Sequence, residues 1–391
     1  MPVFSRVIVI VLDGAGCGAL PDAAAYGDTG SNTLGNVARQ VRLRIPRLRT
    51  LGLGRIVPLD SDAAPAAGTY GRMAEASAGK DSVTGHWEMM GLRLSTPFAT
   101  FPHGFPQEVI DELEQRLGRA TLGNRVASGT DVIEQLGAQH LRTGSPIIYT
   151  SADSVFQIAA HEDVIPVREL YRICQIAFDL VTPLRVARVI ARPFVGIPGA
   201  FTRTVNRHDY AVPPSGETLL DRLTQAGVPV VAIGKINDLF AGRGITCAIP
   251  TASDADGMHR VVEAMGEDEP RLIIANLVDF DTVYGHRNDV DGYAANLERF
   301  DERLEEVLRQ QREGDLLVIT ADHGNDPTTP STDHSREYVP LLLGGSRVRR
   351  GMDIGTRTTF ADLGQSIASN FGVGALAHGV SFLEEIVVQH P

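Results

Sequence analysis

Short apolar runs alternate with longer amphipathic segments along most of the chain. Five runs are rich in Val, Ile and Leu and have the length of buried strands: residues 6–11, 228–233, 271–278, 316–320 and 339–343. Strands of this kind, separated by helical segments, are typical of a parallel sheet that is covered on both faces. The pattern therefore predicts an α/β fold with a mostly parallel sheet flanked by helices.

Acidic residues follow three of these runs directly. Asp13 follows the first run, Asp279 and Asp281 follow the third, and Asp322 follows the fourth. In open parallel sheets, ligands bind beyond the carboxyl ends of the strands. We therefore expect these carboxylates to share one edge of one sheet.

Composition limits the class of protein. The 391 residues are 43% hydrophobic, which is enough for a large core, and this length favours two domains. The net charge of −12 argues against nucleic acid or an anionic membrane as the main partner, so an anionic substrate would need local positive charge. The chain has three cysteines far apart in sequence, and its N-terminal apolar run is too short for a signal peptide, so we expect a soluble cytoplasmic protein. We expect a monomer or a weak oligomer.

Carboxylates and imidazoles together form a candidate metal site. The set is Asp13, Asp281, His286, Asp322, His323 and His334. Taken alone, Asp13 is explained as the start of a glycine-rich turn, and His286 as an ordinary surface histidine. Taken together, the mixed ligands suit two divalent transition metals of the zinc or manganese type, because calcium favours oxygen ligands throughout. Such metals would supply the positive charge that the chain lacks.

The stretch "SAGKDSVTGHWEMMG", residues 77–91, contains a hydroxyl residue, Thr84, before a segment with helical character. One interpretation is that Thr84 caps this helix. The other is that Thr84 is a nucleophile whose phosphate is stabilised by the free N–H groups and the dipole at the helix N-terminus. A threonine hydroxyl needs a base or a metal to become nucleophilic, so the second interpretation depends on the metal site.

These motifs resemble the phosphopentomutase family of the alkaline phosphatase superfamily, over nearly the whole chain. The resemblance rests on "VIVIVLDGAGCGALPDAAAYGDTGSNTLGN", "GKDSVTGHWEMMG", "YTSADSVFQIAAHEDVIP", "FTRTVNRHDYAV", "IGKINDLFAGRGIT", "NLVDFDTVYGHRND" and "ITADHGNDPTTPSTDHSREYVPLL". It implies an alkaline phosphatase-like core domain, residues 1–97 and 213–391, that binds two Mn²⁺ ions, although other divalent metals are compatible. It also implies a smaller inserted α+β cap domain, residues 98–212, and proline clusters at 97–106 and 213–214 fit such boundaries.

The resemblance also assigns roles to individual residues. One ion would be held by Asp281, His286 and His334, and the other by Asp13, Asp322, His323 and Thr84, with Thr84 as the phosphorylated nucleophile. The sugar would be contacted by Asp153, Arg192 and Lys235, and the phosphate remote from the metals by Arg203, Arg207 and His208. Any one of these arginines is also explained as a solvated surface charge. The chain departs from the family at Gly14, where members often carry serine.

The activity implied is the interconversion of ribose 1-phosphate and ribose 5-phosphate, and of the 2-deoxyribose forms. It would pass through phosphorylated Thr84 and a sugar bisphosphate, which also serves as activator, and the cap would exclude water. Two alternatives remain open within the superfamily, a cofactor-independent phosphoglycerate mutase and a phosphatase. A third alternative is a binding protein without catalysis, against which Thr84 in its intact motif argues.

Overall fold

The computed structural model describes residues 2–59, 65–151 and 154–388. The chain divides into two compact units. One unit is formed by Met1–Pro97 and Pro214–Pro391, and the other by Phe98–Pro213. The predicted boundary between residues 212 and 213 lies one residue before this division. The catalytic and cap roles assigned to the two units stay predictions.

Strands and helices alternate through both units. The strands are β1 (Arg6–Leu12), β2 (Thr69–Met73), β3 (Leu122–Val126), β4 (Ile147–Thr150), β5 (Val155–His161), β6 (Arg188–Ile197), β7 (Ala200–Arg203), β8 (His208–Ala211), β9 (Val230–Ile233), β10 (Cys247–Ile249), β11 (Arg271–Leu277), β12 (Asp315–Thr320), β13 (Val339–Gly344) and β14 (Asp353–Arg357). The α-helices are α1 (Thr33–Gln40), α2 (Pro46–Leu51), α3 (Ser82–Met89), α4 (Gln107–Leu117), α5 (Gly129–Thr143), α6 (Val167–Val181), α7 (Leu219–Gln225), α8 (Ile236–Leu239), α9 (Asp254–Ala264), α10 (Val290–Gln310), α11 (Ala361–Phe371) and α12 (Leu383–Ile386).

The first unit contains an eight-stranded sheet in the order β10-β9-β11-β1-β12-β13-β2-β14. The central strands β9, β11, β1 and β12 are parallel neighbours. Every residue of β1 and β11 is buried, as expected for strands covered on both faces. The five predicted strands all exist, and the predicted α/β class is confirmed.

Strand β13 differs from the parallel pattern, because it runs antiparallel to both β12 and β2. The connection from β12 to β13, residues 321–338, contains no crossover helix among its residues, all of which are described. A parallel partner would require such a crossover, so the chain turns back at the same edge of the sheet. An antiparallel bridge between Gly324 and Ser335 holds this return together.

The second unit contains a six-stranded sheet in the order β3-β4-β5-β6-β7, with β8 also paired to β6. Alternate residues of a strand face opposite sides of a sheet. Accordingly, Ile148 packs in the hydrophobic cluster that includes α6, whereas Ile147 and Tyr149 pack in the cluster that includes α5. This unit therefore has its own hydrophobic core on each face of its sheet.

Candidate functional site

The candidate metal ligands lie beyond the carboxyl ends of adjacent parallel strands. Asp13 follows β1, and Asp322 and His323 follow β12, while Asp281 lies in a π-helical turn after β11, Phe280–Tyr284. His286 lies in the next turn, Gly285–Arg287, and His334 lies in the loop that returns to β13. Because β11, β1 and β12 are neighbours, the six side chains converge. We call these six residues the ligand cluster.

The contacts within the ligand cluster are short. Asp281 lies 3.2 Å from Nε2 of His286 and 3.3 Å from Nε2 of His334, through different carboxylate oxygens. His323 Nε2 lies 3.2 Å from Asp13 Oδ1 and 3.4 Å from Asp322 Oδ2. Five of the six residues are almost completely buried. Only His286 is partly exposed.

Among the described residues, two sets of three place their ligand atoms within 4.8 Å of one another: Asp281, His286 and His334, and Asp13, Asp281 and His323. The first set is the trio predicted for one ion. The second set differs from the prediction, because Asp281 belongs to both sets. Asp322 contacts the second set through His323. The carboxylate of Asp281 therefore lies in the centre of the cluster.

The donor chemistry fits divalent transition metals. Nδ1 of His286 donates to the carbonyl of Thr332 at 2.6 Å, and Nδ1 of His323 lies 3.1 Å from the carbonyl of Gly324. Ligating histidines characteristically use one ring nitrogen in this way and direct the other to the metal. In addition, Asp13 Oδ2 is buried and accepts no hydrogen bond from the described residues. These free electron pairs are suited to a cation.

The electrostatics of the ligand cluster also favour a cation. Burial opposes ionisation of Asp281, but His334 and His286 hold its pKa well below its usual range. Burial likewise disfavours a charged His323, yet Asp322 and Asp13 raise its pKa well above the ordinary value. The buried carboxylates therefore favour positive charge in their vicinity.

Backbone and amide groups hold the carboxylates in place. Gly14, which has φ 75 in the left-handed region that favours glycine, donates its N–H to Asp322 Oδ1 at 3.1 Å. The side-chain amide of Asn325 donates to Asp281 Oδ1 at 2.7 Å. The sequence interpretation missed Asn325, although its place three residues after Asp322 in "ADHGND" was a signal.

Thr84 lies completely buried in the first turn of α3. Asp81 is the N-cap of this helix, and its carboxylate accepts from the Thr84 N–H at 3.1 Å and from the Thr84 hydroxyl at 2.6 Å. Thr84 therefore takes part in capping, but as the partner of the cap and not as the cap itself. The next residue, Gly85, packs against the backbone of Asp322, and the roles of Thr84 as nucleophile and metal ligand stay predictions.

Ser82, the first residue of α3, contacts the ligand cluster directly. Its Oγ is 3.2 Å from His323 Nε2 and 3.4 Å from Asp13 Oδ1. His86, one turn along the same helix, places Nδ1 2.8 Å from the Ser82 carbonyl and 3.2 Å from Asp322 Oδ2. The sequence interpretation missed both residues, and their i, i+4 spacing in "DSVTGH" was the available signal.

Three of the predicted substrate residues lie in a pocket of the second unit. Arg192, Pro193, Arg203, Thr204 and Arg207 line a volume of about 170 Å³, which we call the arginine pocket. Burial and the neighbouring Arg207 lower the pKa of Arg192. Its Nε donates to the neutral amide of Gln157 at 3.1 Å. By contrast, Arg207 forms a two-point ion pair with Asp209.

His208 does not join the arginine pocket. It pairs with Ala191 in the sheet, so its side chain lies on the face opposite to that of Arg192. Its ring packs against those of Tyr171 and Tyr210, with centroids 5.1 and 4.6 Å away. The prediction that His208 binds phosphate together with Arg203 and Arg207 is therefore not supported by this arrangement.

The remaining predicted residues are Lys235 and Asp153. Lys235 follows β9, at the same edge of the sheet as the residues after β11, and its side chain makes no hydrogen bond or ion pair with the described residues. Asp153 lies outside the described residues. Across residues 2–59, 65–151 and 154–388, no helix combines the length and apolar character needed to span a membrane.

The fold and the ligand cluster agree with the match to a known class of protein. The model of the Metalloenzyme superfamily matches residues 5–375. The PH0037 protein from Pyrococcus horikoshii has a similar fold, with a TM-score of 0.50 at 15% identity, covering 96% of this chain and 100% of that one. The predicted alkaline phosphatase-like fold is confirmed.

Relatives of higher identity define the family. A phosphopentomutase of Caldanaerobacter subterraneus is 55% identical over 384 residues, which cover 97% of this chain and 98% of the relative. A phosphopentomutase of Desulfitobacterium hafniense is 54% identical over 387 residues, covering 98% and 100%. The chain belongs to the phosphopentomutase family. The prediction of an enzyme of this family is confirmed.

Proposed function

We propose that the chain interconverts ribose 1-phosphate and ribose 5-phosphate, and the 2-deoxyribose forms, through phosphorylated Thr84. The relatives named phosphopentomutase support the substrate class. The observation that supports the residue assignment is the position of α3, whose first turn contains the buried Thr84 and packs against the ligand cluster through Ser82 and Gly85. Thr84 stays our candidate nucleophile, and Ser82, whose hydroxyl lies within 3.4 Å of both His323 and Asp13, is the alternative.

The ligand cluster would hold two divalent ions, manganese by resemblance, which when bound stabilise charge on the transferring phosphoryl group and lower the pKa of the attacking hydroxyl. Asn325, Gly14 and His86 orient the carboxylates of the cluster. The first turn of α3, which contains Thr84, would offer N–H groups and a positive dipole end to a phosphate on that residue.

The proposed reaction has two transfers. In the first, the bond between phosphorus and Thr84 Oγ1 breaks as a bond to a sugar hydroxyl forms, and the proton of that hydroxyl ends on the freed Thr84 oxygen. In the second, the sugar bisphosphate returns its other phosphoryl group to Thr84 and regains a proton on the oxygen that it frees, so an added bisphosphate would serve as activator. The arginine pocket would bind the phosphate that is not being transferred, because guanidinium groups match phosphate geometry through two parallel hydrogen bonds. Lys235 and Asp153 remain predicted contacts of the sugar.

The first prediction tests the nucleophile. Thr84→Ala should abolish phosphorylation and mutase activity, whereas Ser82→Ala, which removes a hydroxyl beside His323 and Asp13, should keep phosphorylation at position 84. The measurement is intact mass and phosphopeptide mapping after incubation with ribose 1,5-bisphosphate, together with an assay of ribose 5-phosphate formation.

Thr84→Ser is the conservative control, because it keeps a hydroxyl at the same position and should keep part of the activity. Phosphate on Ser82, or a fully active Thr84→Ala variant, would assign the role to Ser82. A wild-type protein that isomerises phosphoglycerate but no pentose phosphate would contradict the proposed substrate.

A further inference from the structure

The hydroxyl of Tyr149 is a buried polar group without a partner. Tyr149 lies in β4 with 1% of its side chain exposed, and its Oη forms no hydrogen bond with any described residue. Nearly all buried polar groups in native proteins are hydrogen-bonded, and exceptions often mark sites that a ligand or water completes. The other tyrosine hydroxyls of this unit, those of Tyr171 and Tyr210, both donate to backbone carbonyls at 3.0 Å.

Tyr149 lies on the face of the sheet that carries the arginine pocket. It pairs with Gln157, and Arg192 pairs with Ala159 two residues further along β5, so the three side chains point to the same face. Arg203 pairs with Phe194 and shares that face. The positive charges of Arg192, Arg203 and Arg207 all act on the Tyr149 hydroxyl. The Tyr149 hydroxyl and the three arginines are thus close enough to interact on one side of the sheet.

The N-terminus of α5 lies beside the Tyr149 hydroxyl. A Cβ atom on Gly129, the first residue of this 15-residue helix, would lie 2.7 Å from Tyr149 Oη and 3.5 Å from Arg203 Nη1. Arg203 Nη2 also donates to the hydroxyl of Thr130 at 2.9 Å. The first N–H groups of a helix lack partners within the helix, and its dipole favours an anion there. The lack of a side chain at Gly129 therefore lets the start of α5 approach the Tyr149 hydroxyl closely.

We propose that Tyr149 and the first turn of α5 complete the arginine pocket as a binding site for a phosphate monoester, with the Tyr149 hydroxyl as a donor that determines specificity. The inference rests on the proposed function, because the phosphate is that of the pentose monophosphate. Tyrosine adds what the arginines do not, a neutral donor that keeps its direction because its ring is packed against Ile147 and Phe194 in the core. A second neutral donor set, the amides of α5, approaches from the helix.

The test measures phosphate affinity in the full-length chain with excess chelator, so that the ligand cluster contains no metal. Calorimetric titration with inorganic phosphate and with ribose 5-phosphate is compared for the wild type and Tyr149→Phe. Because a hydrogen bond to a charged group is lost, we expect the dissociation constant to rise roughly 10- to 100-fold. The melting temperature without ligand should not fall, because the hydroxyl makes no bond in the free protein.

Tyr210→Phe is the matched control. Its hydroxyl donates to the Tyr171 carbonyl, so its loss should lower the melting temperature and leave phosphate affinity unchanged. Gly129→Ala gives a second variant, in which the added methyl group displaces the Tyr149 hydroxyl and should also weaken binding.

Three results would overturn the inference. They are wild-type affinity in Tyr149→Phe, a loss of stability in that variant without loss of affinity, and no phosphate binding by the wild type under chelation. A wild type that binds phosphate through Tyr149 but forms no ribose 5-phosphate would contradict the proposed function and leave the site standing.

Discussion

The ligand cluster and the arginine pocket differ in the sign of the charge that they attract. The ligand cluster combines three carboxylates with three imidazoles in an almost completely buried site, so it is short of positive charge. The arginine pocket contains three guanidinium groups, of which Arg192 donates to a neutral amide while Arg207 is paired with an acid. One site attracts cations, and the other attracts anions.

The difference shows how a chain with a net charge of −12 can bind a doubly charged sugar phosphate. At the ligand cluster, positive charge would come from exchangeable ions, which can stabilise a transferring phosphoryl group from several sides. In the arginine pocket, positive charge is covalently part of the chain and suits a phosphate that is only held. Variants that remove charge from each site should therefore fail in different ways.

Asp281→Asn should have the largest effect. Asp281 contacts both His286 and His334 and belongs to both sets of ligands, so its loss should remove both ions. We expect mutase activity to fall at least about 1000-fold, which corresponds to roughly 4 kcal/mol of transition-state stabilisation. Metal content by plasma mass spectrometry is the direct measurement.

Asp301→Asn, which changes an equally buried acid elsewhere in the same unit, should keep both ions. One full equivalent of metal in Asp281→Asn would show that Asp281 serves a single ion.

Arg192→Ala should leave metal content intact and reduce kcat/KM for the pentose phosphate by roughly 30- to 1000-fold, or about 2–4 kcal/mol. Water attack on the phosphoenzyme does not need the sugar phosphate to be positioned, so inorganic phosphate released should rise as a fraction of turnover. Both products are measured in one assay, and Arg203→Ala should behave similarly. Arg172→Ala, an exposed arginine of the same unit that pairs with Glu169, should change little. A parallel fall of both products would mean that Arg192 supports the fold and not the substrate.

His140→Gln should have the smallest effect, on the pH dependence of stability in the second unit. Burial lowers the pKa of His140, which accepts from the His161 N–H at 2.8 Å and therefore must be neutral in the folded state. Its contribution to stability is present above pH 6.5, the unfolded value, and is lost as pH falls below it. On acidification, the free energy of unfolding of the wild type should fall by on the order of 1 kcal/mol because of this residue, and that of His140→Gln should fall less.

Thermal unfolding at pH 7.5 and 5.5 gives the comparison. The exposed His259→Gln variant should follow the wild type, and an unchanged pH dependence in His140→Gln would exclude this residue as the cause.

Much of the fold could be predicted because its signals are local. A run such as residues 6–11 is apolar throughout, and an unbroken run of this length is explained by a strand buried on both faces. The reversal of β13 was not predicted, because a run of apolar residues is the same in a parallel and an antiparallel strand. Its direction depends on the length and content of the preceding connection, where no helix forms.

For the candidate site, the residue types were available from sequence, but the choice between neighbouring residues was not. Ser82 and Thr84 are two hydroxyl residues in the first turn of one helix, and the local sequence does not show that the Ser82 hydroxyl is the one that contacts His323. His208 was grouped with Arg207 because they are adjacent in sequence. In a strand, the side chain of an adjacent residue points to the opposite face.

The sequence by itself determined the α/β class, the family and the supply of carboxylates, imidazoles and arginines, since these follow from residue types and from short-range patterns. Tertiary structure alone decided that Asp281 lies between His286 and His334, that Ser82 reaches His323, and that the Tyr149 hydroxyl meets the first turn of α5. The physical reason is distance along the chain. Asp13 and His323 are separated by about 310 residues, and they touch only because β1 and β12 pair at the centre of the sheet.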